Sequence, residues 1–266
     1  YKYFVDVVGL PETKDIHERI SNLCGNLNVS DLRILLQPDF LVNFRSGITA
    51  TSEKNIINSR AWIQTAMNVA KDIFTKPYNP TKLKAYLPEL RSMTLQKPET
   101  FYPRMKEIFA ECGVAFVLLP HLKNSGVNGA VKWVNEDRVV LAMNNRGLNA
   151  DKFWFSLFHE IKHVFQHKTK TTFVSSMKEM MDMNDKLEAE ANAFAKDYLI
   201  PPANFNQFAP TKYTSDNEII AFAKSIGIHP GIVVGRLQHE GILAPNRGTK
   251  LKENYVIEIV RTEVTE

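Results

Sequence analysis

Apolar residues recur at helical spacing through much of the first hundred positions of the chain. In TKDIHERISNLCG and SDLRILLQ this spacing predicts two short helices, with Ser30 and Asp31 forming the N-terminal cap of the second. Ile56, Trp62 or Ile63, Met67 and Ala70 recur every three to four residues in SEKNIINSRAWIQTAMNVAKDIF, predicting a longer helix that KPYNP breaks. NPTKLKAYLPELRSM and YPRMKEIFAECG predict two more, the last closed by Gly113 as a C-cap. The periodicity then shifts to that of strands. VAFVLLP, VNGAVKWV and RVVLAMN are β-branched or alternating runs, the last two separated by the hairpin-length turn NED, so a small sheet of about three strands is expected. Helical spacing returns after residue 149, in FWFSLFHEIKHVFQH, NDKLEAEANAFAKDYLI, DNEIIAFAKSIG and GIVVGRLQHEG. Proline and polar residues cluster between residues 76 and 98, which sets the expected boundary: a helical N-terminal region over residues 1–90 and a second domain over residues 91–266.

Composition changes this picture little. The 266 residues hold 33 Lys and Arg against 29 Asp and Glu, a formal charge of +4. Residues 1–76 are balanced, with nine basic and eight acidic side chains, so direct nucleic-acid binding by this segment is not expected. The two cysteines, Cys24 and Cys112, read as reduced, buried thiols of a cytoplasmic protein. There is no apolar run of the roughly 18 residues that a membrane span needs, and no signal-peptide pattern at the start. The sequence opens at Tyr1 without methionine, consistent with processing or with further sequence upstream.

The chemistry concentrates in HEIKH. Residues four apart on a helix share a face, so His159 and His163 can aim both imidazoles at one point, a geometry that zinc accepts when a third protein ligand is added. Glu160 then lies beside the metal, placed to take a proton from water and pass it to a leaving amine. The competing reading is an amphipathic helix with two ordinary histidines and a solvated glutamate. The flanking FWFSLF and VF bury the helix, however, and buried imidazoles and carboxylates are costly unless something satisfies them. The third ligand is expected from LEAEANAFAKDYL. Small residues, Ala191, Asn192 and Ala195, follow Glu188 at helical spacing and allow close approach to the motif helix, which favours Glu188 over Glu190. His167 reads as the polar end of the motif helix or a group behind the ligands. His229 and His239 read as helix-terminus residues, and Arg236 as a helix-surface residue. Tyr198, Asn192, His121 and Asn128 remain open as transition-state stabilisers. VNGAVKWV or RVVLAMNN could offer a sheet edge to a peptide substrate.

KFWFSLFHEIKHVFQH followed by EAEANAFAKDYLIP resembles the ImmA/IrrE family of zinc metallopeptidases. The likeness extends upstream through GVAFVLLPHL, GVNGAVKW and VVLAMNN and downstream through FAKSIGIHPGIVVGRLQHEG, covering about residues 98–243. Lys162 departs from it, standing where family members usually carry glycine. The resemblance implies an α+β fold, mainly helical, with a small antiparallel or mixed sheet packed against the HExxH helix of a zincin-like domain. It implies zinc held by His159, His163 and Glu188, with Glu160 as general base. It further implies limited proteolysis of a protein substrate, a DNA-binding repressor or other regulator, in a stress, mobile-element or phage-defence response. A helix-turn-helix domain of the kind some members carry would lie upstream of Tyr1. The alternative is a peptidase-fold sensor or antitoxin-like module that acts by binding alone.

Overall fold

The computed structural model describes residues 1–37, 52–144, 149–166 and 177–257. The fold is α+β and mainly helical, with one three-stranded mixed sheet among the described residues. The chain divides into two compact units, Tyr1–Tyr78 with Phe109–Arg146 and Glu258–Glu266, and Asn79–Ile108 with Gly147–Ile257.

In the first unit, helices α1 (Lys2–Val8), α2 (Ile16–Leu27) and α3 (Glu53–Ala70) precede the sheet. The Asp15 carboxylate caps α2 by accepting from the backbone N–H groups of His17 and Glu18, and Ser52 caps α3. The segment expected as a second short helix is instead a five-residue 3₁₀ turn, Leu32–Leu36, capped by Asp31. Gln37 precedes a proline, which disfavours helical backbone, and it leaves the turn extended. Helix α1 was not legible in the hydrophobic spacing.

The strands are β1 (Val114–Leu119), β2 (Gly129–Asn135) and β3 (Arg138–Asn144), in the order β1-β3-β2. β2 and β3 form the expected hairpin around Glu136 and Asp137, and β1 pairs parallel to β3. This order corrects one expectation. RVVLAMNN cannot offer an edge, because β3 is hydrogen-bonded on both sides, which leaves β2 and β1 as the outer strands. Trp62, Ile63, Ala66 and Ala70 of α3 pack on the sheet face made by Ala115, Val117, Leu119, Ala130, Val140 and Ala142. Alanines on both sides of this contact let the helix backbone come close. The Trp62 indole N–H donates to Pro120 O at 3.0 Å, so the largest buried ring leaves no polar atom unpaired.

The second unit contains α4 (Pro80–Ser92), most of α5 (Pro98–Glu111), α6 (Ala150–Phe165), α7 (Met177–Leu199), α8 (Pro202–Phe208), α9 (Asp216–Ser225) and α10 (Pro230–His239). Helix α9 starts in a capping box made by Ser215 and Glu218. Two long-range features anchor α6. Phe101, Phe153, Trp154 and Tyr255 form an aromatic cluster in which Trp154 Nε1 donates to Tyr255 Oη at 2.8 Å. Near the start of α6, Asp151 pairs with Lys252 at 2.9 Å and lies so close to α10 that a Cβ on Gly235 would fall 2.5 Å from Asp151 Oδ2. Two arginines hold the end of α7: Arg91 donates to Tyr198 O and Leu199 O at 3.0 and 2.8 Å, and Arg236 to Ile200 O at 2.8 Å. Helix C-termini expose unpaired carbonyls and a negative dipole end, and guanidinium groups satisfy both.

Gly113 follows α5 with φ +82, and a Cβ there would lie 2.3 Å from Tyr78 Cα. Left-handed backbone and main-chain overlap act together at this position. Gly113→Ala should therefore lower stability by at least about 2 kcal/mol, read by denaturant or thermal unfolding. A variant as stable as wild type would contradict the close approach.

Candidate metal centre

Helix α6 is built around its apolar face. Phe153, Trp154, Leu157, Phe158, Ile161 and Val164 are buried, and His159, Glu160 and His163 lie within this pattern. Helix α7 lies against it through Leu187, Ala191 and Ala195, all buried, and the alanines permit close contact. The structure brings His159, His163 and Glu188 together across this contact, with one ligand atom from each within 4.8 Å of the others. His159 Nε2 lies 3.0 Å from His163 Nε2 and 3.3 Å from Glu188 Oε2, and His163 Nε2 lies 3.2 Å from Glu188 Oε1. Glu190, the other acid weighed for this role, is instead directed to Gln166 Nε2 at 3.2 Å and Lys162 Nζ at 3.5 Å.

The hydrogen bonds behind the rings determine what converges. Gln166 Nε2 donates to Leu187 O and Glu190 Oε2, so its Oε1 faces His163 Nδ1, at 2.8 Å. Asn192 Oδ1 stands 3.0 Å from His159 Nδ1. An amide oxygen only accepts, so in each of these two pairs Nδ1–H is the donor, which leaves Nε2 able to present a lone pair to a cation once its own proton is lost. Two imidazole Nε2 atoms and a carboxylate thus meet at about hydrogen-bond distance, an arrangement that could hold a metal ion. Tetrahedral zinc, with bonds of about 2.0–2.2 Å to nitrogen and oxygen, separates its ligand atoms by roughly 3.3–3.5 Å. The three separations of 3.0, 3.2 and 3.3 Å are close to that spacing, and the donor set of two imidazoles and one carboxylate fits the metal.

The charged states reflect the same crowding. Burial works to lower the His159 pKa, but the Glu188 hydrogen bond and the charges of Glu160 and Glu188 outweigh it and raise the pKa above the usual value. Burial likewise opposes ionisation of Glu188, yet its bonds to His159 and His163 hold the carboxyl well below the ordinary range. Glu160 differs: burial pushes its pKa up to about 8, only partly offset by His159. It is 4% exposed and its Oε2 has no hydrogen-bond partner. A cation held by the three neighbours would favour the ionised form.

The other sequence candidates separate. Asn192 stands behind His159, and Tyr198 stacks on Phe158 and Phe194. Arg236 caps α7 and lies over the Phe205 ring, and the His229 side chain accepts from Gly231 N at the start of α10. His239 ends α10 in an exposed position, His121 and Asn128 belong to the first unit, and His167 lies outside the described residues. Gln166 was missed. Its contact with His163, three residues back, is local, but the partners that orient its amide, Leu187 O and Glu190, lie 21 and 24 residues away and leave no signal in the spacing.

Residues 120–238 match the family model of the IrrE N-terminal-like domain, Peptidase_M78. The chain carries an ImmA/IrrE-family domain. The matched span includes His159, Glu160, His163 and Glu188, so a metallopeptidase-type function is the general expectation for this ImmA/IrrE domain. Comparison with curated proteins gave no match. Among the described residues no single helix is long and apolar enough to cross a membrane.

Elemental analysis of the purified domain should find near-stoichiometric zinc in the wild type and in Glu190→Ala, and little in Glu188→Ala. Retention of zinc by Glu188→Ala, or its loss from Glu190→Ala, would contradict the ligand geometry.

Proposed function

We propose that this ImmA/IrrE domain is a zinc-dependent endopeptidase of limited specificity, acting in the cytoplasm on a regulatory protein such as a DNA-binding repressor. One observation carries the reading: three lone-pair donors converge beside a buried glutamate whose second oxygen has no partner. A purely structural metal site has no need of such a base, and leaving a carboxylate oxygen buried and unpaired costs stability.

His159, His163 and Glu188 would hold the zinc, which supplies Lewis acidity toward the scissile carbonyl and makes water a better nucleophile near neutral pH. Asn192 and Gln166 keep both ligand rings in the tautomer that presents Nε2. Glu160 accepts a proton from the attacking water as its oxygen bonds to the carbonyl carbon. It then delivers that proton to the amide nitrogen as the C–N bond breaks, leaving a carboxylic acid, which keeps the other water proton, and an amine. The low polarity around Glu160 suits both halves of the cycle, because it keeps the proton affinity of the side chain high enough for the proton to be held between steps.

A protease active on unfolded protein in general would damage its own cell. Weak cleavage of casein-like substrates and strong cleavage of one protein partner are therefore expected, and vigorous casein digestion would overturn the limited-specificity part of the proposal. Glu160→Gln should retain its zinc and cut the partner about 10²–10⁴-fold more slowly, measured by single-turnover cleavage. Wild-type cleavage by a zinc-loaded Glu160→Gln variant would overturn the mechanism. A tight stoichiometric complex formed equally well by both proteins, with no cleavage by either, would establish the binding-only alternative.

A further inference from the structure

The group connecting the two ligand-bearing helices lies outside the ligand set. Gln166 follows the last residue of α6, where its backbone N–H closes the helix on Lys162 O at 3.1 Å and His163 O at 3.2 Å. Its side chain is 3% exposed and turns back between α6 and α7. Oε1 meets His163 Nδ1 at 2.8 Å, and Nε2 donates to Leu187 O at 3.1 Å. That carbonyl belongs to the peptide unit whose nitrogen is Glu188 N, so one planar amide touches a ligand ring on one helix and the backbone entering a ligand residue on the other. Glu190 Oε2 accepts from the same Nε2 and pairs with Lys162 Nζ.

We propose that Gln166 is a positioning residue of the metal centre, setting both the tautomer of His163 and the separation of His163 from Glu188, with Glu190 and Lys162 holding its amide in place. The task needs an acceptor for an imidazole N–H and a donor for a carbonyl oxygen in one rigid group. A carboxylate supplies only the first and an ammonium only the second. Glutamine provides both across its two amide atoms, in a buried site where neither partner can turn to water. Without it, His163 is free to move its proton to Nε2, which removes the lone pair aimed at the centre, and the Leu187 carbonyl loses a partner.

The inference rests on the metal-centre reading, and the test separates the two. Wild type, Gln166→Met and Gln166→Glu are titrated with zinc against a chromophoric chelator, and the absorption spectrum of each cobalt(II)-substituted protein is recorded beside the thermal unfolding of the metal-free form. Gln166→Met, similar in length but apolar, should bind zinc about 10–100-fold more weakly and show a shifted cobalt spectrum. Gln166→Glu keeps an acceptor oxygen for His163 whether ionised or protonated, and should bind zinc more tightly than Gln166→Met despite a lower unfolding temperature than wild type. A helix-to-helix pin of purely structural value would lower the unfolding temperature and leave affinity and spectrum unchanged, and that result overturns the proposal. Should Gln166→Met not fold, Gln166→Asn takes its place with the same expectation and the same overturning result, since it is one methylene too short to reach both partners. Failure of the wild type to bind zinc would overturn the metal-centre reading together with this inference. Tight wild-type binding that Gln166→Met leaves intact would overturn the inference alone.

Discussion

The approach of His159, His163 and Glu188 to within about hydrogen-bond distance of one another is the constraint around which the second compact unit is organised. The imidazoles stand on α6 and the carboxylate on α7, so their approach depends on the contacts that hold the two helices together elsewhere. Helix α7 comes close because Ala191 and Ala195 occupy its inner face, and its final carbonyls are held by Arg91 from α4 and Arg236 from α10. Helix α6 is anchored near its start by the Asp151–Lys252 pair and by the Trp154–Tyr255 hydrogen bond. Each anchor lies several residues from the three converging side chains, so apolar packing and charge pairing hold the cluster from outside it. A cation bound only by the folded form would add to its stability.

Glu160 carries a local cost in a single side chain. On a helix face packed with Phe158, Leu157 and Ile161, an apolar residue would give a better core. A glutamate there bears the cost of desolvation, and burial raises its pKa. The amide groups of Asn192 and Gln166 complement it. They fix ring tautomers without adding charge, which leaves Glu188 as the one anionic group among the three that converge.

Much of this was legible in the chain. The four-residue separation of His159 and His163 places both on one helix face whatever the rest of the fold does, and Glu160 follows by adjacency. The preference for Glu188 over Glu190 came from the small residues following it, a statement about how closely a helix can approach before its partner is known. The hairpin of β2 and β3 was readable from two alternating runs and a short turn, and most helices from their spacing and caps. Helices α1 and α8, seven residues each, were not, because two turns are too short for periodicity to register.

The sequence by itself therefore determined which residues share a helix face, where most helices start and stop, and which side chains are candidates for acid–base and ligand chemistry. These follow from local backbone geometry, in which residues three, four or seven apart have fixed relations. Only the tertiary structure decided that β3 lies between β1 and β2, that Gln166 joins His163 to the peptide before Glu188, and that Arg91 and Arg236 close α7. Each of these joins residues 21 or more positions apart. No periodicity spans such distances, and the choice among possible partners is made by the collective packing of the whole unit.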